Sequence, residues 1–472
     1  MSCESSAHGP HPAAVAEAWS ALGGRPSLLS SVSYVRRAGV LPSRLPVLDA
    51  ARACVAVCSL AAAEYAAGGG AVPRVRVDDG AVATAFVSER HLRVAGRAPD
   101  TFAPLSRFWR TADGWVRTHA NYPHHKAALL DALGLHADAV EQVERALAGL
   151  RADEVEERVY AAGGLAVALR TRDQWAAHAQ GAAVAAEPLV HREALGGRAG
   201  AARARGAGFG GGTAARARGG GFRVLDLTRV IAGPVATRTL GLLGADVLRV
   251  DAPGLPELPD QHADTGFGKR STLLDLARPT DRTTFDELLA EADVVVTGYR
   301  PGALDRLGLA PQALAERRPG LVVAQLSAWG AGGPWAGRRG FDSLVQVATG
   351  VADAERLAPS DPPGALPAQA LDHGTGYLLA AAVLRALAEP TPEARLVRLS
   401  LARTAHWLLH LPPAPAPSGT LLPYTPEAHL TETPGPLGLL RHALPPITYE
   451  GAPTNWTRPP GVWGSSEARW EI

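Results

Sequence analysis

A chain of 472 residues with 47 basic and 46 acidic side chains is long enough for two or three domains, and its balanced charge excludes a general nucleic-acid or anionic-membrane surface. Its three cysteines, Cys3, Cys54 and Cys58, form no C-x-x-C and fit a reduced interior; Cys54 and Cys58, four apart in an Ala-rich stretch, read as buried thiols rather than a metal pair. The opening MSCESSAHGP has no basic-then-apolar signal pattern and no uncharged apolar run approaches bilayer length, so a soluble cytoplasmic protein with no membrane or nucleic-acid partner is expected.

Residues 1–46 read as a polar start and one weakly helical segment broken at Gly23-Gly24, Pro26 and Pro42. Leu48 to Ala67 is an Ala, Val and Leu helix stopped by Gly68-Gly69-Gly70, and Val72 to Val77 alternates like a half-buried strand. Phe108 to His119 reads as a hairpin turning at Asp113-Gly114. Pro123 opens a helix closed by Gly134, a charged helix covers Ala137 to Leu150, and further helical segments reach about Gly197. His119, His124 and His125 lie close together without a cysteine or carboxylate at ligand spacing, so they read as packed or solvated rings and no metal is expected. Trp109, Trp115 and Trp175 read as core or interface aromatics. Gly196 to Gly221 is too rich in glycine and arginine to pack, and predicts a flexible linker at the main domain boundary.

Phe222 to Asp251 then reads as strand, loop, helix, strand, with Pro234 in a first helical turn. The loop Thr228 to Gly233 falls at the carboxyl end of the first strand, where open parallel sheets bind ligands. Ala232-Gly233-Pro234 replaces the spaced glycines of a dinucleotide fold, which argues against NAD or FAD. Lys269 to Leu276 reads as a basic turn leading into a strand, Phe285 to Ala292 as a helix, Asp293 to Val296 as a buried strand, and Leu321 to Leu326 as another. A short helix carries Arg306, Gly340 to Gly350 reads as helical, and Leu371 to Gly376 reads as a loop before a helix over Tyr377 to Leu387. Strands alternating with helices predict an α/β fold, a doubly wound parallel sheet accompanied by a smaller α+β domain.

The chain also repeats itself. LDAARACVAVCSLAAAEYAA from Leu48 is similar to LDHGTGYLLAAAVLRALAEP from Leu371, and each precedes a short basic strand, PRVRV from Pro73 and RLVRLS from Arg395. Both copies put an aspartate, Asp49 or Asp372, just before a helix; only the second has Gly-Thr-Gly after it. Asp49 is therefore expected to be structural.

Six landmarks stand in order from Phe222 to Leu409: VLDLTRVIAGP (Val224 to Pro234), GADVLRVD (Gly244 to Asp251), GKRSTLLDL (Gly268 to Leu276), ADVVVTGYRPGALDRLGL (Ala292 to Leu309), GFDSLVQVATG (Gly340 to Gly350) and LDHGTG (Leu371 to Gly376). This stretch resembles the class III coenzyme A transferases, of the formyl-CoA and carnitine-CoA transferase type. Ala112 to Gly134 resembles the small domain of that family, which there usually follows the Rossmann-like domain and here precedes it. The expected organisation is a partial transferase-like region with the small domain over 1–195, the linker 196–221, the Rossmann-like transferase domain 222–415, and a Pro-rich extension 416–472.

The resemblance implies that an aspartate carboxylate attacks an acyl-CoA thioester, giving a mixed anhydride and then an aspartyl-CoA thioester that an incoming acid resolves. Asp372 aligns with that aspartate; the plain alternative is an ordinary helix N-cap. Gly374 and Gly376 fit either a close-approaching acyl-CoA or an open turn. Coenzyme A is implied as co-substrate with no permanently bound cofactor, contacted by Ile231, Ala232, Leu274 to Ala277, Gly298, Tyr299, Arg300, Arg306, Arg339 and Asp342. Where many members have an arginine for a CoA phosphate this chain has Ala252, so either Arg249 or Lys269 compensates or affinity for coenzyme A is reduced. Acyl-CoA and carboxylic-acid substrates and a homodimer are implied. Two other readings stay open. One is an α-proton racemase of the same superfamily, although Phe341 stands where those relatives carry a histidine; the other is an inactive CoA-binding scaffold.

Overall fold

The computed structural model describes residues 12–100, 102–196, 221–358, 360–389, 391–412 and 421–471. The predicted linker lies almost entirely outside them.

At the N-terminal side, β1 (Val32–Val35) and β2 (Val75–Asp78) pair in parallel, connected by α1 (Val47–Ala67). Small and apolar residues on most sides of α1 make it a buried helix rather than a surface one. Gly68 ends it at φ 53°, a left-handed conformation that costs glycine no Cβ clash. α2 (Asp79–Phe86) follows directly, capped by Asp78, whose carboxylate accepts the Gly80 N–H at 2.8 Å.

The predicted hairpin forms as β3 (Phe108–Arg110) and β4 (Trp115–Thr118), and β5 (Ala166–Ala168) extends it into a three-stranded antiparallel sheet. Alternation along the strands gives the sheet two faces. Trp109, Val116 and Ala166 pack with Leu129, Val143 and Val159 in a local core. On the other face Arg117 lies opposite Phe108 and Val167, both part of the main core.

The main sheet has seven strands: β6 (His191–Leu195), β7 (Arg223–Leu227), β8 (Asp246–Asp251), β9 (Lys269–Leu273), β10 (Val294–Thr297), β11 (Val322–Ser327) and β12 (Ala394–Ser400). Their spatial order is β9-β8-β7-β10-β11-β12-β6, all parallel except β6, which runs antiparallel along β12. The six parallel strands thus follow the order 3-2-1-4-5-6 of doubly wound sheets, whose connections reverse beside the first strand and open a crevice there. Val294, Val295 and Val296 are all fully buried, as expected for a strand covered on both faces.

Three helices around this sheet matter for the site: α3 (Ala232–Leu242), α4 (Asp342–Ala348) and α5 (Ala370–Ala388); α6 (Leu401–His410) follows β12. Apart from α4 and the short helix Val351–Ala354, which lie between β11 and α5, the element order β11, α5, β12, α6 is that of β1, α1, β2, α2, and both pairs of strands are parallel. Even the caps correspond. Ser400 opens α6 by accepting the Arg403 N–H, as Asp78 opens α2. Residues of α1 and α5 share the main core. Among the described residues no helix is long and apolar enough to cross a membrane.

Three local expectations need correction. Lys269 is not in a turn but begins β9, buried, with Nζ 3.0 Å from Asp226. The helix expected from Phe285 begins at Pro279, since proline is tolerated at a first helical position. Leu371 to Gly376 is not a loop: it lies inside α5, so Gly374 and Gly376 are helical residues.

Candidate active site

The crevice is framed by the loops after β7 and β10. Asp226, near the end of β7, is fully buried and accepts from the Thr228 N–H at 2.9 Å, the Thr237 hydroxyl at 2.6 Å and Lys269 Nζ at 3.0 Å. Burial pushes its carboxyl up, but Lys269 and Arg249 outweigh that and hold it below the usual range. Burial likewise lowers Lys269, to about 8. In the loop itself Val230 has φ 70°, a conformation that a β-branched residue adopts only when its surroundings enforce it. The enforcing group is Glu257: it accepts the Val230 N–H at 3.0 Å, Arg249 Nη2 at 2.9 Å and the Tyr122 hydroxyl at 2.6 Å. Tyr122 comes from the small unit, so one buried carboxylate ties that unit to the first loop.

Asp372 is the third residue of α5, whose N-cap is Gln369. The bare N-cap alternative therefore fails. The helix start is instead satisfied by Asp342 at the head of α4, whose Oδ2 accepts the Asp372 N–H at 2.9 Å. The other Asp342 oxygen accepts from Gln346 Nε2, and Gln346 Oε1 accepts the Leu366 N–H at 2.9 Å. Burial pushes the Asp342 carboxyl up to about 6, with these donors pulling the other way. Asp372 is raised well above the ordinary carboxyl value by burial, then by Asp342 and Glu89. Among the described residues no lysine or arginine forms an ion pair with it. It retains 7% of its surface, whereas Asp342 and His373 retain none, so of these three it is the least enclosed.

The neighbouring His373, which follows Asp372 in the LDHGTG motif, is fully buried. Its ring stacks on Phe86, with centroids 5.4 Å apart, and its Nε2 lies 3.5 Å from Glu89 Oε2. Burial raises Glu89, but its pairing with His373 outweighs this and holds the carboxyl down. Phe86 and Glu89 both belong to the N-terminal region. Distance in the chain hides this contact, and nothing local in SERHL marks it.

The repeat makes a contrast. Asp49 pairs with Arg52, which also holds Asp79 through Nε at 2.7 Å and Nη2 at 3.1 Å. Three residues after Asp372 stands Thr375, bonded to the Thr404 hydroxyl at 2.7 Å. One copy neutralises its aspartate; the other leaves it without a cation.

The residues expected to contact coenzyme A divide by place. Ile231 and Ala232 are buried at the start of α3, and Gly298 follows β10 so closely that a Cβ there would lie 3.4 Å from Thr228 Cβ, which brings the two loops together. Tyr299 and Arg300 line a cleft with Asp305, Ser327 and Arg398. Arg300 also lines a second cleft with Tyr160, Arg338 and Arg339. Leu274 packs in the core beneath β9, Ala277 is exposed, and Arg306 is exposed on a 3-10 turn outside both clefts. Asp342 is enclosed and held by the start of α5. Neither candidate to compensate for Ala252 is free: Arg249 is bound to Asp251 and Glu257, and Lys269 to Asp226. His119, His124 and His125 gather near Phe341, His119 lying flat on it with centroids 3.8 Å apart. Among the described residues no group of three or more His, Cys, Asp or Glu could hold a metal ion.

Fold and site together define an α/β protein with a doubly wound sheet whose strand order reverses between β7 and β10. Residues 220–419 match the model of CoA-transferase family III. A probable fatty acyl-CoA transferase of Mycobacterium tuberculosis is 37% identical over 35% of this chain and 45% of its own length. A formyl-CoA:oxalate CoA-transferase of Rhodopseudomonas palustris is 32% identical over 38% of this chain and 45% of its own. An acetyl-CoA:oxalate CoA-transferase of Acetobacter aceti is 36% identical over 30% and 39%. The chain thus spans less than half the length of these relatives.

Proposed function

We propose that this protein moves coenzyme A between an acyl-CoA and a carboxylic acid, with Asp372 as nucleophile. The observation that carries the reading is an aspartate buried beside a second carboxyl and lacking a counter-cation, in a region that matches the model of CoA-transferase family III. A carboxylate stabilised by neither water nor a cation is a strong nucleophile once it loses its proton. Its oxygen attacks the thioester carbonyl carbon and the C–S bond breaks, giving an anhydride and CoA thiolate. The thiolate then attacks the Asp372 carbonyl, the first acid leaves, and an aspartyl-CoA thioester remains. An incoming carboxylate reverses the two steps. One thioester replaces another, so the residues need only position groups and stabilise charge.

Coenzyme A is taken to lie along the crevice, its phosphates toward Arg300 and Arg339, whose clefts adjoin. The same reading takes the chain as a cytoplasmic homodimer with no resident cofactor; a light-scattering mass of one chain would remove the dimer.

The test is incubation with an acyl-CoA and hydroxylamine at neutral pH. Residue 372 is expected to become a hydroxamate, read by mass spectrometry, and Asp372→Ala to lose both adduct and acyl exchange while still binding coenzyme A. An Asp372→Ala protein with near-wild-type turnover refutes the reading. One observation favours a second reading, α-proton exchange: the buried His119 ring lies flat on Phe341, and burial keeps it neutral by lowering it to about 3. Deuterium uptake at the α carbon of acyl-CoA without a residue-372 adduct would select that reading.

A further inference from the structure

The reaction proposed above asks a negatively charged acid to approach a site already crowded with carboxyl groups. Asp342, Asp372 and Glu89 lie together, and only Glu89 has a partner that can bear positive charge, His373. A carboxylate brought from water into such a place needs a cation, and one already neutralised by an ion pair would serve poorly.

Arg117 meets this need. It lies on β4, on the face that turns toward α4, two residues before His119, whose ring stacks on Phe341. His119, just past the end of β4, lies on Phe341 beside Asp342, and the Asp342 charge acts on Arg117, so this end of β4 lies near the segment that begins α4. The guanidinium is held between Phe108 and Phe102, at 4.8 and 5.4 Å from the ring centroids. Phe102 is 44% exposed, so this side of the site borders solvent. Among the described residues no carboxylate lies within ion-pair distance of Arg117, and its Nε is buried without an acceptor. Arg117 is half-buried, and the fully buried arginines of the site region, Arg52, Arg238 and Arg249, each have their own carboxylate. Burial lowers Arg117 to about 10, and the one charge that acts on it is Asp342. It is therefore a cation clamped between aromatic rings, within reach of the Asp342 charge and without a carboxylate of its own.

We propose that Arg117 receives the carboxylate of the acid substrate. This rests on the transferase reading. The acid, ion-paired to Arg117, presents one oxygen to the carbonyl carbon of the aspartyl-CoA thioester at residue 372. That C–O bond forms as the C–S bond breaks, and the CoA thiolate then attacks the acid-derived carbonyl and frees the Asp372 carboxylate. Arg117 makes no covalent bond and keeps its proton throughout. Its service is confined to the steps with a free carboxylate, the entry of the second acid and the departure of the first; the attack of Asp372 on the acyl-CoA thioester, which forms the anhydride that hydroxylamine traps, involves none.

That confinement gives the test, made on the full chain with oxalate, formate and acetate as acids. Arg117→Met is expected to raise the KM for whichever acid the wild type uses by tenfold or more. The rate of hydroxylamine trapping from acyl-CoA alone, and the KM for acyl-CoA, should stay within twofold. Arg117→Lys should recover part of the loss, and it carries the same comparison if the Met variant melts early. An acid KM unmoved in the variants, or a trapping rate that falls in parallel with exchange, overturns the inference while leaving the transferase reading in place. A wild-type chain that traps nothing removes the transferase reading and this inference with it.

Discussion

Gly376 is where the position of Asp372, the proposed nucleophile, is most exposed to a single methyl group. A Cβ built there would lie 2.5 Å from the Ala232 carbonyl oxygen and 2.9 Å from Val235 Cβ, both on α3. In an open helix Gly→Ala is stabilising by about 1 kcal/mol. Here the obstacle is backbone in the first turn of α3, anchored by the loop that Asp226 and Glu257 hold. Restoring a normal contact means moving α5 by about 1 Å, and overpacking of this kind costs about 1–3 kcal/mol. Gly376→Ala should therefore be destabilised by up to roughly 2 kcal/mol net. Asp372 stands one turn earlier on the same helix, and a ~1 Å misplacement of a reacting group can cost on the order of 100-fold in rate. Gly374→Ala is the control: its Cβ would sit 3.4 Å from Cys54 Sγ, an ordinary contact, so it should be neutral or stabilised by up to about 1 kcal/mol. Urea midpoints and hydroxylamine trapping rates of the two variants decide the matter. A Gly376→Ala protein as stable and as fast as Gly374→Ala would refute the claim that this glycine sets the approach of α5 to α3.

The carboxyl of Asp342 is at about 6 in the folded chain against an ordinary 3.8, so between those values the native state holds a proton that the unfolded state has lost. This group's contribution to stability is thus present below 3.8 and is lost as pH rises to about 6; Asp342→Asn should gain melting temperature relative to wild type on going from pH 4 to pH 7, and an equal difference at both would refute this. Arg52→Ala strands Asp79, whose side chain is 1% exposed, and should cost about 3–5 kcal/mol in chemical denaturation. Asp49→Ala, whose partner keeps Asp79, should cost no more than about 1 kcal/mol and leave turnover unchanged. Arg300→Ala is expected to weaken coenzyme A binding by about 1–3 kcal/mol in calorimetry. Arg306→Ala, for which the family resemblance implies the same loss, should have the smaller effect because Arg306 lies outside both clefts.

The parallel sheet was legible because its strands are short apolar runs separated by helices, and apolar periodicity is a local property of the chain. The hairpin at Asp113-Gly114 and the Gly68 helix stop were legible for the same reason: a turn or a cap is decided by the few residues that form it. Asp372 was found through the order of its surrounding motifs. What surrounds it was not. Glycine and threonine in LDHGTG suggest a turn by local preference, yet α5 runs through them because Asp342, 30 residues away, satisfies its first turn and Gly376 lets it pack on α3. Arg249 and Lys269 looked like free cations from their sequence neighbours and are consumed by Glu257, Asp251 and Asp226. Glu89, Tyr122 and Arg117 carry no local mark at all; each acquires its place only when the N-terminal region folds against the sheet. Which residues form an element follows from side chains a few positions apart, but which charge is neutralised and which is left exposed to a ligand depends on distances across the folded chain, and these exist only in the tertiary structure.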